Sequence, residues 1–233
     1  MEFKEGLIKL NLNPDIDYES FEKYKAHLLM RNEEFNITRI TEESEIYTKH
    51  FLDSLSLFTL DIFEGPKSVI DIGTGGGFPG VPLKIYNRDL QVTLMDSLKK
   101  RVNFLEEVCD ILSFHDVKCL HKRAEEMARE EEYRESYDIA VSRAVAELPT
   151  LLEYSMAFVK VGGYFVAMKG PSYKEELTKS EKAIKILGGE LKEVKEIEID
   201  DNYRALIVIK KVKPTPDKYP RGGGKPRKNP PIV

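Results

Sequence analysis

Five glycines within eight residues, Gly73, Gly75, Gly76, Gly77 and Gly80, follow directly on the apolar run Ser68 to Ile72, and no other stretch limits the fold as much. A short β-branched run interrupted by one carboxylate, Asp71, reads as a buried strand. The glycines let the backbone after it bend sharply and lie close to something. Gly75, Gly77 and Gly80 fit the spacing of a dinucleotide-binding turn, and Asp96 closes the next apolar run, 21 residues after Gly75. Strand, loop, helix and second-strand acid occur in that order, so a nucleoside cofactor is the first expectation.

Two cofactor classes share this geometry. A pyrophosphate wants bare N–H groups at a helix N-terminus, whereas S-adenosylmethionine has no phosphate and ends in an amino acid carrying both charges. A carboxylate at Asp71 would repel a pyrophosphate but suits the methionine ammonium, directly or through water. Pro79 and Pro82 disfavour an early helix start with all its N–H groups facing one anion. A nicotinamide-dependent oxidoreductase and a methyltransferase both stay open here, with the methyltransferase ahead.

The elements after Gly80 alternate. Strands are expected at Gln91 to Asp96, Val117 to His121, Tyr137 to Ser142 and Tyr164 to Met168. Helices are expected at Ser97 to Ser113, with Ser97 as N-cap, at Ala124 to Glu135, at Leu148 to Lys160 closed by Gly162 and Gly163, and at Ser172 to Leu187. Such alternation builds a parallel sheet covered on both faces. Leu191 to Ile199 and Tyr203 to Val212 are separated by only three residues, Asp200, Asp201 and Asn202, which permits a hairpin but no crossover helix. The fold class is therefore α/β, a Rossmann-like, mostly parallel seven-stranded sheet with an antiparallel C-terminal hairpin. Ahead of it, the periodicities of Tyr18 to Arg31 and Ser44 to Phe63 predict helices. The expected division is a helical cap over 1–64, the Rossmann-like domain over 65–213 and a basic tail over 214–233.

At 233 residues the chain buries a sizeable core without staples. Its two cysteines, Cys109 and Cys119, have neither disulfide-framework nor metal-ligand spacing. With no leader-like N-terminus and no long apolar run, a cytoplasmic protein is expected. Net charge is −4, yet Lys210 to Lys228 holds eight Lys or Arg against one acid, Asp217. A polyanionic partner at this end and a solvated basic tail are equally compatible with that pattern.

The four histidines are scattered, and no nucleophile–base pairing or metal motif appears. Methyl transfer tolerates this, because a sulfonium already activates the methyl group and the protein mainly aligns a lone pair behind it. Neither cysteine has the proline neighbour of a cytosine C5 nucleophile. The position after the fourth strand reads Ser142-Arg143-Ala144-Val145, not the Asn/Asp-Pro-Pro-aromatic loop of exocyclic amine methylation, and Asn229-Pro230-Pro231-Ile232 lies in the tail without an aromatic residue. An acceptor with a free lone pair fits best.

His50-Phe51-Leu52-Asp53-Ser54-Leu55, the glycine loop with Phe78-Pro79-Gly80-Val81-Pro82-Leu83, Asp96-Ser97-Leu98-Lys99-Lys100-Arg101-Val102, Ser142-Arg143-Ala144 and Met168-Lys169-Gly170 together closely resemble the bacterial RsmG (GidB) family. The resemblance runs from about residue 18 to 230, including Tyr219-Pro220-Arg221, and departs slightly at Gly76. It implies S-adenosylmethionine as cofactor, N7 of a guanine in small-subunit ribosomal RNA as acceptor, that RNA or the ribosomal subunit as partner, and neither metal nor membrane. It also implies cofactor contacts at Gly73, Phe78, Ala124, Glu125 and Arg143. Beside that, Asp96 is expected to accept the ribose hydroxyls, Phe78 and Leu98 to flank the adenine, and Glu125 to read its edge. Asp71, Gly75 and Ser97 join the cofactor set, and Arg143 is the residue expected to carry catalysis, aimed at a carboxylate, phosphate or carbonyl oxygen. Asn36, Arg39, His50, Arg123, Lys169 and Arg221 are the candidates for touching RNA. A cofactor-binding RNA scaffold without turnover is the third class considered.

Overall fold

The computed structural model describes residues 2–200 and 202–229. Asp201 and Pro230, Pro231 and Ile232, and the side chains of Asn202 and Arg227, lie outside what is described. Seven strands form one sheet: β1 (Ser68–Ile72), β2 (Gln91–Asp96), β3 (Lys118–His121), β4 (Tyr137–Arg143), β5 (Val159–Lys169), β6 (Gly189–Ile199) and β7 (Asn202–Lys211). Their order is β3-β2-β1-β4-β5-β7-β6. The first five are parallel, and β7 enters antiparallel between β5 and β6. The doubly wound dinucleotide fold instead continues its parallel order to the sixth strand, so the reversed β7 separates this sheet from the oxidoreductase architecture.

Among the described residues, ten α-helical segments surround the sheet: α1 (Phe3–Lys9), α2 (Tyr18–Asn32), α3 (Glu43–Ile46), α4 (Asp53–Leu55), α5 (Gly80–Tyr86), α6 (Lys99–Ile111), α7 (Ala124–Met127), α8 (Leu148–Ser155), α9 (Tyr173–Ile186) and α10 (Lys225–Lys228). Two apolar clusters form, one on each face. Phe3, Phe21, Tyr24 and Phe51 from the N-terminal helices pack with Val69, Leu94 and Val141 of the sheet. Leu151, Leu152, Ile184 and Tyr219 pack with Ile70, Ala140 and Phe165 on the other.

Four expected helices differ. Ser44 to Phe63 is not one helix: it widens to π geometry over Tyr47–Leu52 and tightens to 3₁₀ turns over Ser56–Thr59 and Asp61–Phe63. The hydroxyls of Ser54 and Ser56 take the carbonyls of His50 and Asp53, competing with a regular ladder. Leu98, not Ser97, caps α6; the Asp96 carboxylate accepts from the Leu98 N–H at 2.9 Å and holds the strand-to-helix turn. The helix at Ala124 stops after Met127, where Arg134 turns inward onto the Ala128 carbonyl. Finally, α8 ends at Ser155, and Gly162 and Gly163 lie inside β5. Gly162 takes a left-handed φ of +92°, and the role of Gly163 is close approach: a Cβ there would lie 2.5 Å from the Asp138 carbonyl, beside the register shift between β4 and β5.

Candidate functional site

The glycine loop owes its shape to Asp71 and to helices far away in sequence. Asp71 is fully buried, and its Oδ2 accepts from Thr74 Oγ1 at 2.6 Å and from the Gly80 N–H at 2.8 Å. Burial pushes its pKa up to about 6, against the lowering effect of those two hydrogen bonds and of Arg143. Its other oxygen, Oδ1, is sealed in without a partner. Asp71 thus spans the loop from within instead of facing open space. From outside, the buried Tyr24 hydroxyl of α2 donates to the Gly76 carbonyl. A Cβ on Gly77 would lie 2.7 Å from that hydroxyl, and one on Gly80 2.3 Å from Leu94. Gly73, Gly75 and Gly77 all have positive φ, but of the loop's five glycines only Gly75, at φ +62°, has nothing within 4 Å of the place a Cβ would take. Its N–H donates to Asp96 Oδ2 at 3.0 Å.

A cavity of about 280 Å³ opens at this point, at the C-terminal ends of β1, β2 and β3. Open α/β sheets put ligands there. Ile72 and Gly73 come from β1 and its loop; Met95, Asp96 and Ser97 from the end of β2 and the residue after it; Lys122, Arg123, Ala124 and Glu125 from the turn into α7 and its first residues. Val145, Tyr154 and Gly224 complete the lining. Glu125 is 7% exposed, its carboxylate meets no donor among the described residues, and it lines the cavity, where it is free to accept from whatever occupies that space. The Arg123 side chain is exposed and likewise has no partner there.

Five of the expected cofactor residues, Gly73, Asp96, Ser97, Ala124 and Glu125, line this cavity, and Gly75 borders it through Asp96. Phe78 and Arg143 are elsewhere. Phe78 is 4% exposed; the His50 ring stacks on it at 4.2 Å, with Tyr24 and the Arg143 guanidinium at 5.4 and 5.0 Å. It is a core residue beneath the loop and does not flank the cavity.

Arg143 aims at a carboxylate and a carbonyl as expected, but both belong to the protein. Its Nη1 donates to Asp53 Oδ2 at 2.7 Å and to the Lys49 carbonyl at 2.9 Å, and its Nη2 donates to His50 Nδ1 at 3.0 Å. Arg204 of β7 holds the same Asp53 through Nε and Nη2 at 2.6 and 3.1 Å. His50 accepts on Nδ1, so its Nε2 carries the hydrogen and donates to Thr38 Oγ1 at 2.8 Å. Burial and the neighbouring guanidinium lower its pKa to about 3, so the ring stays neutral.

The RNA candidates divide. Asn36, Arg39 and Arg123 are exposed, whereas His50 is buried in the cluster just described. Lys169 is 8% exposed and held by the Ala146 carbonyl and Glu176, both at 2.7 Å. Arg221 grips the fully buried Glu153 through Nε and Nη2 at 2.9 and 2.8 Å. Among the other tail cations Lys211 is fully buried, and Lys210, Lys213, Lys218, Lys225 and Lys228 are exposed. Sequence reasoning misses Tyr154 and Gly224 in the cavity wall and the Asp53–Arg204 and Glu153–Arg221 pairs, whose partners are 151 and 68 residues apart. No local spacing signals such pairs.

The family described as rRNA small subunit methyltransferase G (GidB) matches residues 17–206. The chain belongs to this family. It is 50% identical, over 99% of its length and 98% of the relative's, to a ribosomal RNA small subunit methyltransferase G of Alkaliphilus metalliredigens (strain QYMF). It is 48% identical to one of Clostridium novyi (strain NT), over 93% and 90% of the two chains. Its fold is similar to the crystal structure of a SAM-dependent methyltransferase from Aquifex aeolicus, at 18% identity and a TM-score of 0.54, covering 74% of this chain and 96% of that one. The GidB match stops at residue 206, so the docked tail lies beyond it. Among the described residues no helix is long and apolar enough to cross a membrane, and no three His, Cys, Asp or Glu are grouped to hold a metal.

Proposed function

We propose that this GidB-family chain transfers a methyl group from S-adenosylmethionine to N7 of a guanine in small-subunit ribosomal RNA, taken as naked RNA or within the subunit. The observation that carries the reading is the cavity at the strand ends, which the Glu125 carboxylate lines without a donor among the described residues and where the open-faced Gly75 donates to Asp96. Those groups fit an adenosine with its amino-acid end: Glu125 would accept from the exocyclic amine, Asp96 Oδ1 has capacity left for a ribose hydroxyl, and Gly75 leaves room for the amino-acid end. The volume sits near the lower end of small-molecule sites, roughly 300 Å³.

S-adenosylmethionine, when bound, supplies a methyl group that is already activated. What the chain's own residues have to do is hold and orient. Guanine N7 offers a lone pair and releases no proton, so no general base is required. The histidines nearby are consistent with that chemistry: His121 Nε2 is engaged with the Ser97 carbonyl at 3.1 Å beside the cavity, and His50 is buried, neutral and engaged through both ring nitrogens. Arg143 acts by position, tying the end of β4 to the N-terminal helices beneath the loop. The unpartnered Arg123 at the cavity and the exposed Arg39 are suited to phosphates. Mass mapping of small-subunit ribosomal RNA from cells lacking the gene tests the function: one 7-methylguanosine should disappear. Retention of every methyl group would overturn it.

A further inference from the structure

The basic C-terminal tail lies beyond the GidB match, yet it is fastened to the domain at many points. Arg134 donates to the carbonyls of Thr215 and Tyr219 at 2.7 and 3.0 Å, and Arg129 to that of Pro220 at 2.6 Å. Thr215 is buried between the Lys211 ammonium and the Leu187 carbonyl. Tyr219 is 7% exposed within the apolar cluster. The Arg221 N–H and guanidinium both close on Glu153 of α8, and Thr150 Oγ1, one turn earlier on the same face, donates to the Pro226 carbonyl at 3.1 Å. Such fastening is more than solubility requires.

These contacts lead the chain to one place. Between the Arg221 anchor and the Pro226 anchor lie Gly222, Gly223 and Gly224, the last two left-handed at φ +68° and +69°. Left-handed backbone in succession favours glycine, and neither residue's Cβ would meet anything within 4 Å, so crowding is not the reason for their identity. Of the three, only Gly224 lines the cavity at the strand ends, next to Tyr154, which follows Glu153 on α8. We propose that the docked tail is part of the S-adenosylmethionine site, with Gly224 as a wall of the cofactor cavity and the Arg221–Glu153 pair as the positioning clamp that holds it there. The inference rests on the reading that this cavity takes S-adenosylmethionine.

A matched pair of substitutions separates this from a merely structural tail. Asn tolerates left-handed backbone, so Gly224→Asn and Gly223→Asn make the same conformational demand, but only the first adds atoms to the cavity wall. Calorimetry with S-adenosylhomocysteine on the full chain is the measurement, with thermal melting in parallel. Gly224→Asn should weaken binding at least about tenfold, as overpacking a close-fitted site does, while Gly223→Asn should bind as the unsubstituted chain does. Equal affinities in the two variants, whether both unchanged or both reduced, would overturn the inference and leave the cofactor reading in place. No binding by the unsubstituted chain would remove that reading itself.

Discussion

Asp53 and Arg143, 90 residues apart, meet at 2.7 Å beneath the glycine loop, and they join the N-terminal helices to the end of the fourth strand. The Asp53 side chain is 2% exposed and also carries Arg204, so a single carboxylate is shared by guanidiniums from β4 and β7. A buried ion pair adds little net stability compared with apolar packing, but removing one member leaves the other uncompensated.

Asp53→Asn is therefore expected to destabilise the fold by roughly 3 kcal/mol, the low end for breaking a buried pair, because the Arg204 side chain is 23% exposed and regains some solvation. Urea unfolding followed by far-UV circular dichroism measures this. A loss under about 1 kcal/mol would mean the cluster is solvated and behaves like a surface pair.

Arg143→Lys removes the planar fork while keeping the charge. An ammonium cannot reproduce the donation to Asp53, the Lys49 carbonyl and His50 Nδ1 together with the guanidinium face over Phe78. Methyl transfer to RNA should fall at least about 100-fold, comparable to losing one preorganised electrostatic contact, while S-adenosylhomocysteine binding stays near that of the unsubstituted chain because Arg143 does not line the cavity. Near-full activity of the Lys variant would reduce Arg143 to a generic charge. Parallel loss of cofactor binding would make it a cofactor contact instead.

Asp71 predicts a pH effect on stability. Its pKa rises from 3.8 to about 6 on folding, so between those values the folded state holds a proton that the unfolded state has released. The resulting stabilisation is fully present below about pH 4 and is lost as pH rises through 6, a change of about 3 kcal/mol from this group. His50 acts in the opposite sense over an overlapping range, since its folded pKa is lowered from 6.5 to about 3. A difference measurement isolates Asp71: relative to the unsubstituted chain, Asp71→Asn should gain about 3 kcal/mol between pH 4 and pH 7. A flat difference would show that Asp71 is solvated in the absence of cofactor.

The parts legible in the sequence are those set by neighbours in the chain. The strand before the glycines, the acid at the end of β2 and the C-terminal hairpin each follow from spacing within about 30 residues, and the strand order then sets the cavity at their ends. Phe78 shows where that ends: an aromatic residue in a cofactor loop looks the same in sequence whether it faces adenine or the core, and the His50 ring that decides the matter is supplied by the N-terminal helices. The length of α8 departs from expectation for a similar reason. Gly162 and Gly163 read as a helix stop, but the first serves a left-handed φ inside β5 and the second lets β5 pass the Asp138 carbonyl.

The last prediction separates two arginines that composition treats alike. Arg123 is exposed at the cavity without a partner among the described residues, whereas Arg221 is committed to the fully buried Glu153 and to the Asn229 carbonyl. A cation that meets a phosphate releases about one counterion, so Arg123→Ala should weaken RNA binding and lower the slope of log affinity against log salt by about 0.7–0.9, with the fold unchanged. Arg221→Ala should leave the slope as it was and instead lower stability by roughly 3–5 kcal/mol, since the Glu153 carboxylate is then buried without its counterion. Binding titrations at several salt concentrations, each paired with a melting curve, make the comparison. If Arg221→Ala reduced the slope in a chain that melts normally, the clamp would be a phosphate contact and not an anchor of the tail.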